Sequence, residues 1–362
     1  MVVSGELKVA VIGCGRMGAF TRPKLRERLG QQWLPLNHAE GVAATEGLRL
    51  VACCDIDESA ALRAAQRYEV SAVFTDHREM LAMVKPDIVT IATRTPGRTE
   101  IIESACAAQV KGVYVEKPLS QNLASARRVA AIMRENDVAF SYGTQRRYMP
   151  IFRQAREIVS SGELGDIVQI SINHGRSGLM WSHPHAVDIL SFLAQDRPVD
   201  FVQADLTVPA DTVEGNVIDA DPVINAAIIK FRNGPIGLIT SAGGMSVVIS
   251  GARGTLTVHG DGSWLEKQSL QVSRPGAPAP PAPPRIIETT GPIFSGLVVA
   301  LCELRDAIRL GTCPSLTPGQ VVDQQATLFG FAMSHLSGGM RIGLDAVDLD
   351  LTITGRQDGL AV

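Results

Sequence analysis

The apolar run Leu7–Ile12 ends on Gly13-Cys14-Gly15-Arg16-Met17-Gly18, three glycines in G-x-G-x-x-G spacing. Each answers a separate need of pyrophosphate binding. Gly13 allows a tight turn, Gly15 lets the backbone approach the phosphates, and Gly18 lets a helix pack closely on the strand. N–H groups at the start of that helix then face the anion. Asp55 closes a second apolar run, Leu48–Cys54. A carboxylate there accepts hydrogen bonds from ribose hydroxyls and repels a 2′-phosphate, which favours NAD over NADP. Asp57 and Glu58 are adjacent alternatives, and a plain turn role for Asp55 is the competing reading. Lys117 follows the apolar residues Val113–Val115 within Glu116-Lys117-Pro118. An ammonium at a strand end can stabilise a developing alkoxide. His185, one residue from His183, is the candidate acid–base group. Asp188 lies three residues further, on the same helical face. Set among Ala186, Val187, Ile189 and Leu190, it needs a partner, which we expect to be His185, Lys117 or a backbone group. A metal at His183 and His185 lacks further ligands in the sequence, so none is expected.

These residues must be held by strands and helices of recognisable period. The first ~140 residues alternate short β-rich runs (7–12, 48–54, 88–92, 112–115 and 138–142) with helical patterns, the clearest at 124–136. That alternation predicts a parallel sheet covered on both faces. Asp55 lies well past the ~20-residue spacing usual after such a glycine loop. The excess, roughly Phe20–Val42 with Trp33, Pro35 and His38, predicts a longer first helix and connection; a wall of the substrate cleft is the alternative. Beyond Gly143 a helix at 150–160 precedes strands in series at 167–172, 201–208, 223–231, 236–241 and 255–258. Asn233-Gly234 marks a hairpin turn. The expected architecture is α/β: a doubly wound Rossmann domain over 1–143, then an α+β domain over 144–362 built on a mixed, mainly antiparallel sheet. Arg274–Arg285 is too rich in proline for helix or central strand and reads as an exposed extended loop. Two helices close the chain, 293–310 ending at Gly311 and another starting at Thr317-Pro318.

Composition bounds the function. A chain of 362 residues that is 45% hydrophobic and 20% charged can bury two cores. The net charge of −3 argues against a nucleic-acid or polybasic membrane partner. No apolar run reaches the ~20 residues that span a bilayer. Met1–Lys8 lacks the features of a signal peptide, so a cytoplasmic location is expected. The six cysteines form no CxxC pair and read as buried thiols in a reducing compartment.

Taken together, the chain resembles the glucose-fructose oxidoreductase / inositol dehydrogenase / rhizopine catabolism family of dehydrogenases. The resemblance rests on the Gly13–Gly18 loop, Asp55, Glu116-Lys117-Pro118 and the stretch from Gly143 to Tyr148. It continues with Ser161-Gly162-Glu163-Leu164-Gly165-Asp166 and with His185-Ala186-Val187-Asp188. It implies a catalytic Lys117 with His185 as acid–base partner. Cofactor contacts are expected from Gly13, Gly15, Arg16, Met17, Gly18, Asp55, Thr93, Glu116 and Lys117. The family commonly carries Asp four residues before this histidine; here that position is Trp181, an apolar or stacking wall, with His183 as the polar replacement. Arg147 and Tyr148 either reach cofactor or substrate or brace the domain junction. His174, with Asn173 and Arg176, is a further candidate for substrate contact. The implied activity is NAD-dependent oxidation of a secondary alcohol, or reduction of the ketone, on a cyclic polyol such as a sugar, an inositol or a derivative. The rivals are a non-catalytic dinucleotide-binding sugar sensor and an NAD-assisted glycoside hydrolase. A homodimer or homotetramer built on the exposed face of the second sheet is also implied.

Overall fold

The structure, a computed structural model, describes residues 5–270, 281–289 and 294–355. Its strands are β1 (Leu7–Ile12), β2 (Leu48–Cys54), β3 (Ala72–Phe74), β4 (Ile88–Ile91), β5 (Gly112–Val115), β6 (Ala139–Tyr142), β7 (Ile167–Asn173), β8 (Val199–Thr207), β9 (Val213–Glu214), β10 (Val217–Ile218), β11 (Val223–Phe231), β12 (Ile236–Thr240), β13 (Ser246–Gly251), β14 (Gly254–His259), β15 (Trp264–Ser269), β16 (Arg285–Ile287) and β17 (Thr352–Ile353). The helices are α1 (Pro23–Arg28), α2 (His38–Ala44), α3 (Glu58–Arg67), α4 (His77–Val84), α5 (Arg98–Ala107), α6 (Leu123–Glu135), α7 (Pro150–Ser160), α8 (His183–Leu193), α9 (Gly296–Leu310) and α10 (Pro318–Leu336).

The chain forms two compact units, Met1–Tyr148 with Ile293–Val322, and Met149–Pro292 with Asp323–Val362. This differs from the expected division at 143/144 in two ways. The stretch through Tyr148 stays with the first unit because Tyr148 is fully buried in its core. Helix α9 also returns to it, burying Leu297, Ala300, Leu301 and Leu304 against Leu7, Val42, Ile88 and Tyr114. Side chains of this kind contribute roughly 1.5–3 kcal/mol each when fully buried. Of the proline-rich stretch, residues 274–280 lie outside the described residues; Pro281 bridges Leu270, and Arg285 already begins β16.

The first unit is a six-stranded sheet in the order β3-β2-β1-β4-β5-β6, parallel throughout. Strands β4 and β5 are buried at every residue, as a sheet covered on both faces requires. The chain order reverses between β1 and β4, so the crevice beyond their carboxyl ends is the switch point where this fold binds ligands.

The excess before Asp55 is not a longer helix. Arg16–Ala19 make a single turn after the glycines, and α1 and a short 3-10 turn at Gln31–Trp33 follow. The backbone N–H groups of His38 and Ala39 then donate to Met17 O at 2.8 Å and Gly18 O at 2.9 Å. Both bonds link positions 21 apart where an α-helix uses four. Removing seventeen residues would bring them into regular helical register, so 20–36 is an excursion spliced into the helix that the glycine loop starts. Asn37 restarts that helix as N-cap, its side chain accepting from Glu40 N. The excursion is tethered by the Arg146 guanidinium over Trp33, 4.9 Å from the ring centroid, and by Ser295 Oγ donating to Pro35 O at 2.8 Å. Deleting Phe20–Leu36, which joins Ala19 to Asn37, is expected to leave a folded protein whose melting temperature still rises on adding NAD. Loss of the folded state or of that rise would show that the excursion is structural.

The second unit carries an eight-stranded sheet in the order β16-β15-β14-β13-β7-β12-β11-β8. Only the β7–β12 pair is parallel; the others are antiparallel, as expected. Alternate residues are buried along β12, β13 and β14, the period of a sheet with one covered face. Helices α7 and α8 pack on it. Thr317 and Gln320 cap α10 reciprocally. Among the described residues no helix is long and apolar enough to cross a membrane. Four cysteines are buried, but Cys302 is half-buried and Cys313 exposed, so the expectation of six buried thiols is corrected at those two.

Candidate active site

In the first unit the three glycines have distinct surroundings. Gly13 takes φ +89°, and a Cβ there would stand 2.8 Å from the Ala92 and Thr93 backbone. A Cβ on Gly18 would overlap the Gly13 carbonyl oxygen. Gly15 is exposed, with nothing within 4 Å of its Cβ position, so the loop has the open approach that a pyrophosphate needs. Arg16 is exposed and Met17 half-buried beside it. Asp55 is half-buried at the end of β2; its Oδ2 accepts from Cys14 N at 2.7 Å and its Oδ1 from Asp57 N at 2.9 Å. A carboxylate has about four lone-pair sites, so capacity remains for ribose hydroxyls. Loop, open approach and carboxylate fit a dinucleotide.

Lys117 stands beyond the carboxyl end of β5, half-buried. Its flanks are fixed from two sides. The carboxylate of Glu116 is buried 3.3 Å from His38 Nε2. Burial opposes its charge, but the His38 hydrogen bond and the positive charges at Lys117 and Arg98 outweigh that, and its carboxyl lies below the usual range. Arg98, the first residue of α5, is buried. Its Nη1 donates to Glu116 O at 2.6 Å and also to Pro118 O, and its Nη2 donates to Thr93 O. Burial lowers its pKa to about 10, which leaves it cationic at neutral pH. Neither Arg98 nor the His38 contact was anticipated from the sequence; a basic residue at a helix start carries no local sign that it is buried.

Arg147 and Tyr148 are both buried in the first unit. The Arg147 guanidinium is fully buried and donates to Ser315 O at 3.1 Å. The Tyr148 hydroxyl meets Ser141 Oγ at 3.3 Å inside the core. Both contacts lie within the first unit.

In the second unit the end of β7 and the start of α8 gather the other candidates. His185 is half-buried in the first turn of α8. His183 is fully buried as the first residue of α8, after the N-cap Ser182. Its ring lies 4.8 Å from that of His174, its Nε2 is 3.3 Å from Ser177 Oγ, and His174 Nε2 is 3.0 Å from Ser182 Oγ. Asp188 is buried and accepts from Gln324 Nε2 of α10 at 2.8 Å, a partner outside the three expected. Trp181 is exposed, as a wall residue would be. The turn that carries it is gripped by Asp221, whose carboxylate accepts from Met180 N at 2.7 Å and Trp181 N at 3.0 Å. A Cβ on Gly178 would overlap that carboxylate. Asp221 lies 40 positions from Trp181 in sequence and left no signal there.

Burial, and next the neighbouring His174, lowers the His183 pKa from 6.5 to about 3. Between those values the unfolded chain binds a proton that the folded chain refuses, so stability falls as pH drops through that window. The limiting slope is about 1.4 kcal/mol per pH unit. Urea midpoints at pH 7 and pH 4.5 should therefore converge for His183→Gln relative to the parent protein. Parallel losses in the two proteins would remove His183 from the acid response.

Residues 7–144 match the model of an oxidoreductase family with an NAD-binding Rossmann fold. Over these residues the chain matches the NAD-binding domain of the glucose-fructose oxidoreductase / inositol dehydrogenase / rhizopine catabolism family. It is 24% identical over 254 residues to myo-inositol 2-dehydrogenase of Thermotoga maritima, 65% of this chain and 68% of that protein. It is 29% identical over 168 residues to D-glucoside 3-dehydrogenase of Escherichia coli, covering 46% and 42% of the two chains. The chain thus spans about two thirds of the first relative and less than half of the second. A solved inositol dehydrogenase homologue from Azotobacter vinelandii, complexed with NADH and myo-inositol, superposes with a TM-score of 0.73 over 94% of this chain and 98% of that one at 15% identity. That likeness establishes the fold.

Proposed function

We propose that this protein is an NAD-dependent dehydrogenase, or the corresponding ketone reductase, acting on a secondary alcohol of a cyclic polyol of the sugar or inositol class. The observation that carries the reading is a lysine at the carboxyl end of β5 in an NAD-binding domain whose glycine loop has an open approach. Sugar and inositol dehydrogenases among the relatives support the substrate class. NAD, when bound, supplies the hydride acceptor. The Gly13–Gly18 loop and Asp55 bind and orient it, with Thr93 beside them. Lys117 donates a hydrogen bond to the substrate oxygen as negative charge develops there. His185 takes the hydroxyl proton. Trp181 and His174 face or brace the polyol, and His183 and Asp188 support the helix start. Cytoplasmic location and assembly as a homodimer or homotetramer through the half-exposed face of the second sheet belong to the same reading.

The test is nicotinamide absorbance with NAD and a panel of inositols, aldoses and glycosides. Net NADH formation with at least one cyclic polyol is expected. Glycoside cleavage without net NADH would replace dehydrogenation with the hydrolytic alternative. Ligand-induced stabilisation with no turnover across the panel would favour a sensor.

A further inference from the structure

We infer that His38 is a positioning residue for Lys117: by holding the Glu116 carboxylate ionised beside the lysine, it ties the cofactor loop to the reacting ammonium. This deepens the proposed function and rests on the role given there to Lys117.

The geometry runs in one line. His38 begins α2, and its backbone N–H is bonded to Met17 O of the glycine loop. The excursion before it therefore does not disturb where its ring goes. That ring is 0% exposed, edge-on to Tyr114 at 4.9 Å, with Nε2 3.3 Å from Glu116 Oε1. His38 Nδ1 is buried with no hydrogen-bond partner. Nε2, the ring nitrogen that faces the carboxylate, is therefore the one placed to donate to it. Glu116 is 5% exposed and packs on the backbone of Gly143, where a Cβ would stand 3.1 Å from it. A buried carboxylate without a donor takes up a proton. The remaining titratable groups around the pair are Tyr114 on β5, Arg98 on α5 and Tyr142 on β6, which faces Arg98. Of these, Arg98 already donates to three backbone carbonyls. His38 is thus the side-chain donor that matches the Glu116 carboxylate. An ionised Glu116 favours the ammonium form of Lys117 at the pH where an alkoxide must be stabilised.

The closing experiment follows Lys117 directly. In NAD-free protein, ¹³C NMR of reductively methylated lysines, with Lys117 assigned by Lys117→Arg, gives its titration midpoint. Glu116→Gln should lower that midpoint by about one pH unit, because it removes the negative charge, and His38→Leu should lower it by less, because a carboxylate that has lost its donor is protonated only in part where the lysine titrates. The double variant should shift no further than Glu116→Gln alone, and His38→Gln, which restores an N–H donor, should recover part of the shift. In turnover, the alkaline limb of the pH profile should move the same way, with kcat reduced and NAD affinity within a few-fold. An unmoved midpoint in Glu116→Gln, or an additive double variant, overturns the inference. If His38→Leu fails to fold, Glu116→Gln and His38→Gln still decide it. Retained turnover in Lys117→Ala would instead overturn the proposed function, a distinct result.

Discussion

Lys117→Ala is expected to lower kcat by about 1,000-fold while NAD affinity stays within a few-fold. The magnitude is the upper part of what one preorganised donor supplies to a developing oxyanion. The separation of the two effects follows from position. The groups that fit the dinucleotide are the glycine loop and Asp55, on the ends of β1 and β2. Lys117 leaves a different strand, β5, and its flanking backbone is held by Arg98 and by the Glu116 carboxylate rather than by its own ammonium. Truncation should therefore remove charge from the reacting end without loosening the loop. Lys117→Arg should not rescue, because a planar guanidinium presents its donors in a different geometry from a compact ammonium. The measurements are single-turnover rates with the polyol found by the panel and a thermal-shift titration with NAD. Equal losses in rate and NAD affinity would assign Lys117 to cofactor binding instead.

The elements that position this site were legible wherever their signal is local. Gly13, Gly15 and Gly18 act within one turn, and the five apolar runs that read as strands in the first unit are β1, β2, β4, β5 and β6. The three residues of β3, Ala72–Phe74, are too few to show a period, so that edge strand went unseen. Interruption of the first helix was illegible for a different reason. Its evidence is a pair of bonds from His38 and Ala39 back to Met17 and Gly18, and no window of sequence contains both ends as neighbours. The same holds for α9. Its apolar stripe announced a helix but not which of two cores would bury Leu297 and Leu301. Among the candidates, Lys117 and His185 were named from residue type and motif, whereas Arg98, Gln324 and Asp221, which hold the backbone beside Lys117, Asp188 and the Trp181 turn, were not. Those residues act by reaching backbone or side chains up to 136 positions away. A polar side chain that holds a site from a distance looks in sequence like any solvated one.

Arg98→Met should show how much of the site depends on such a distant support. Methionine fills most of the stem volume and removes the guanidinium, so the change isolates its hydrogen bonds and charge. Three carbonyls, of Thr93, Glu116 and Pro118, then lose their donor, and the buried Glu116 carboxylate loses a neighbouring cation. Removing one partner of a buried charged network costs about 3–5 kcal/mol, most of it from the groups left unsatisfied. For a chain of this size that corresponds to a fall in melting temperature of about 5 °C. Arg98→Lys should recover little, since a single ammonium cannot replace a fork that donates to carbonyls on two loops. The loop after β4 and the loop carrying Lys117 are joined by this side chain, so kcat should fall along with stability. At a temperature where the variant is fully folded, a thermal-shift titration should show NAD affinity closer to the parent value than kcat is. A melting temperature within about 1 °C of the parent would mean that water satisfies those carbonyls once the arginine is gone, and that Lys117 is held by Glu116 and its own strand.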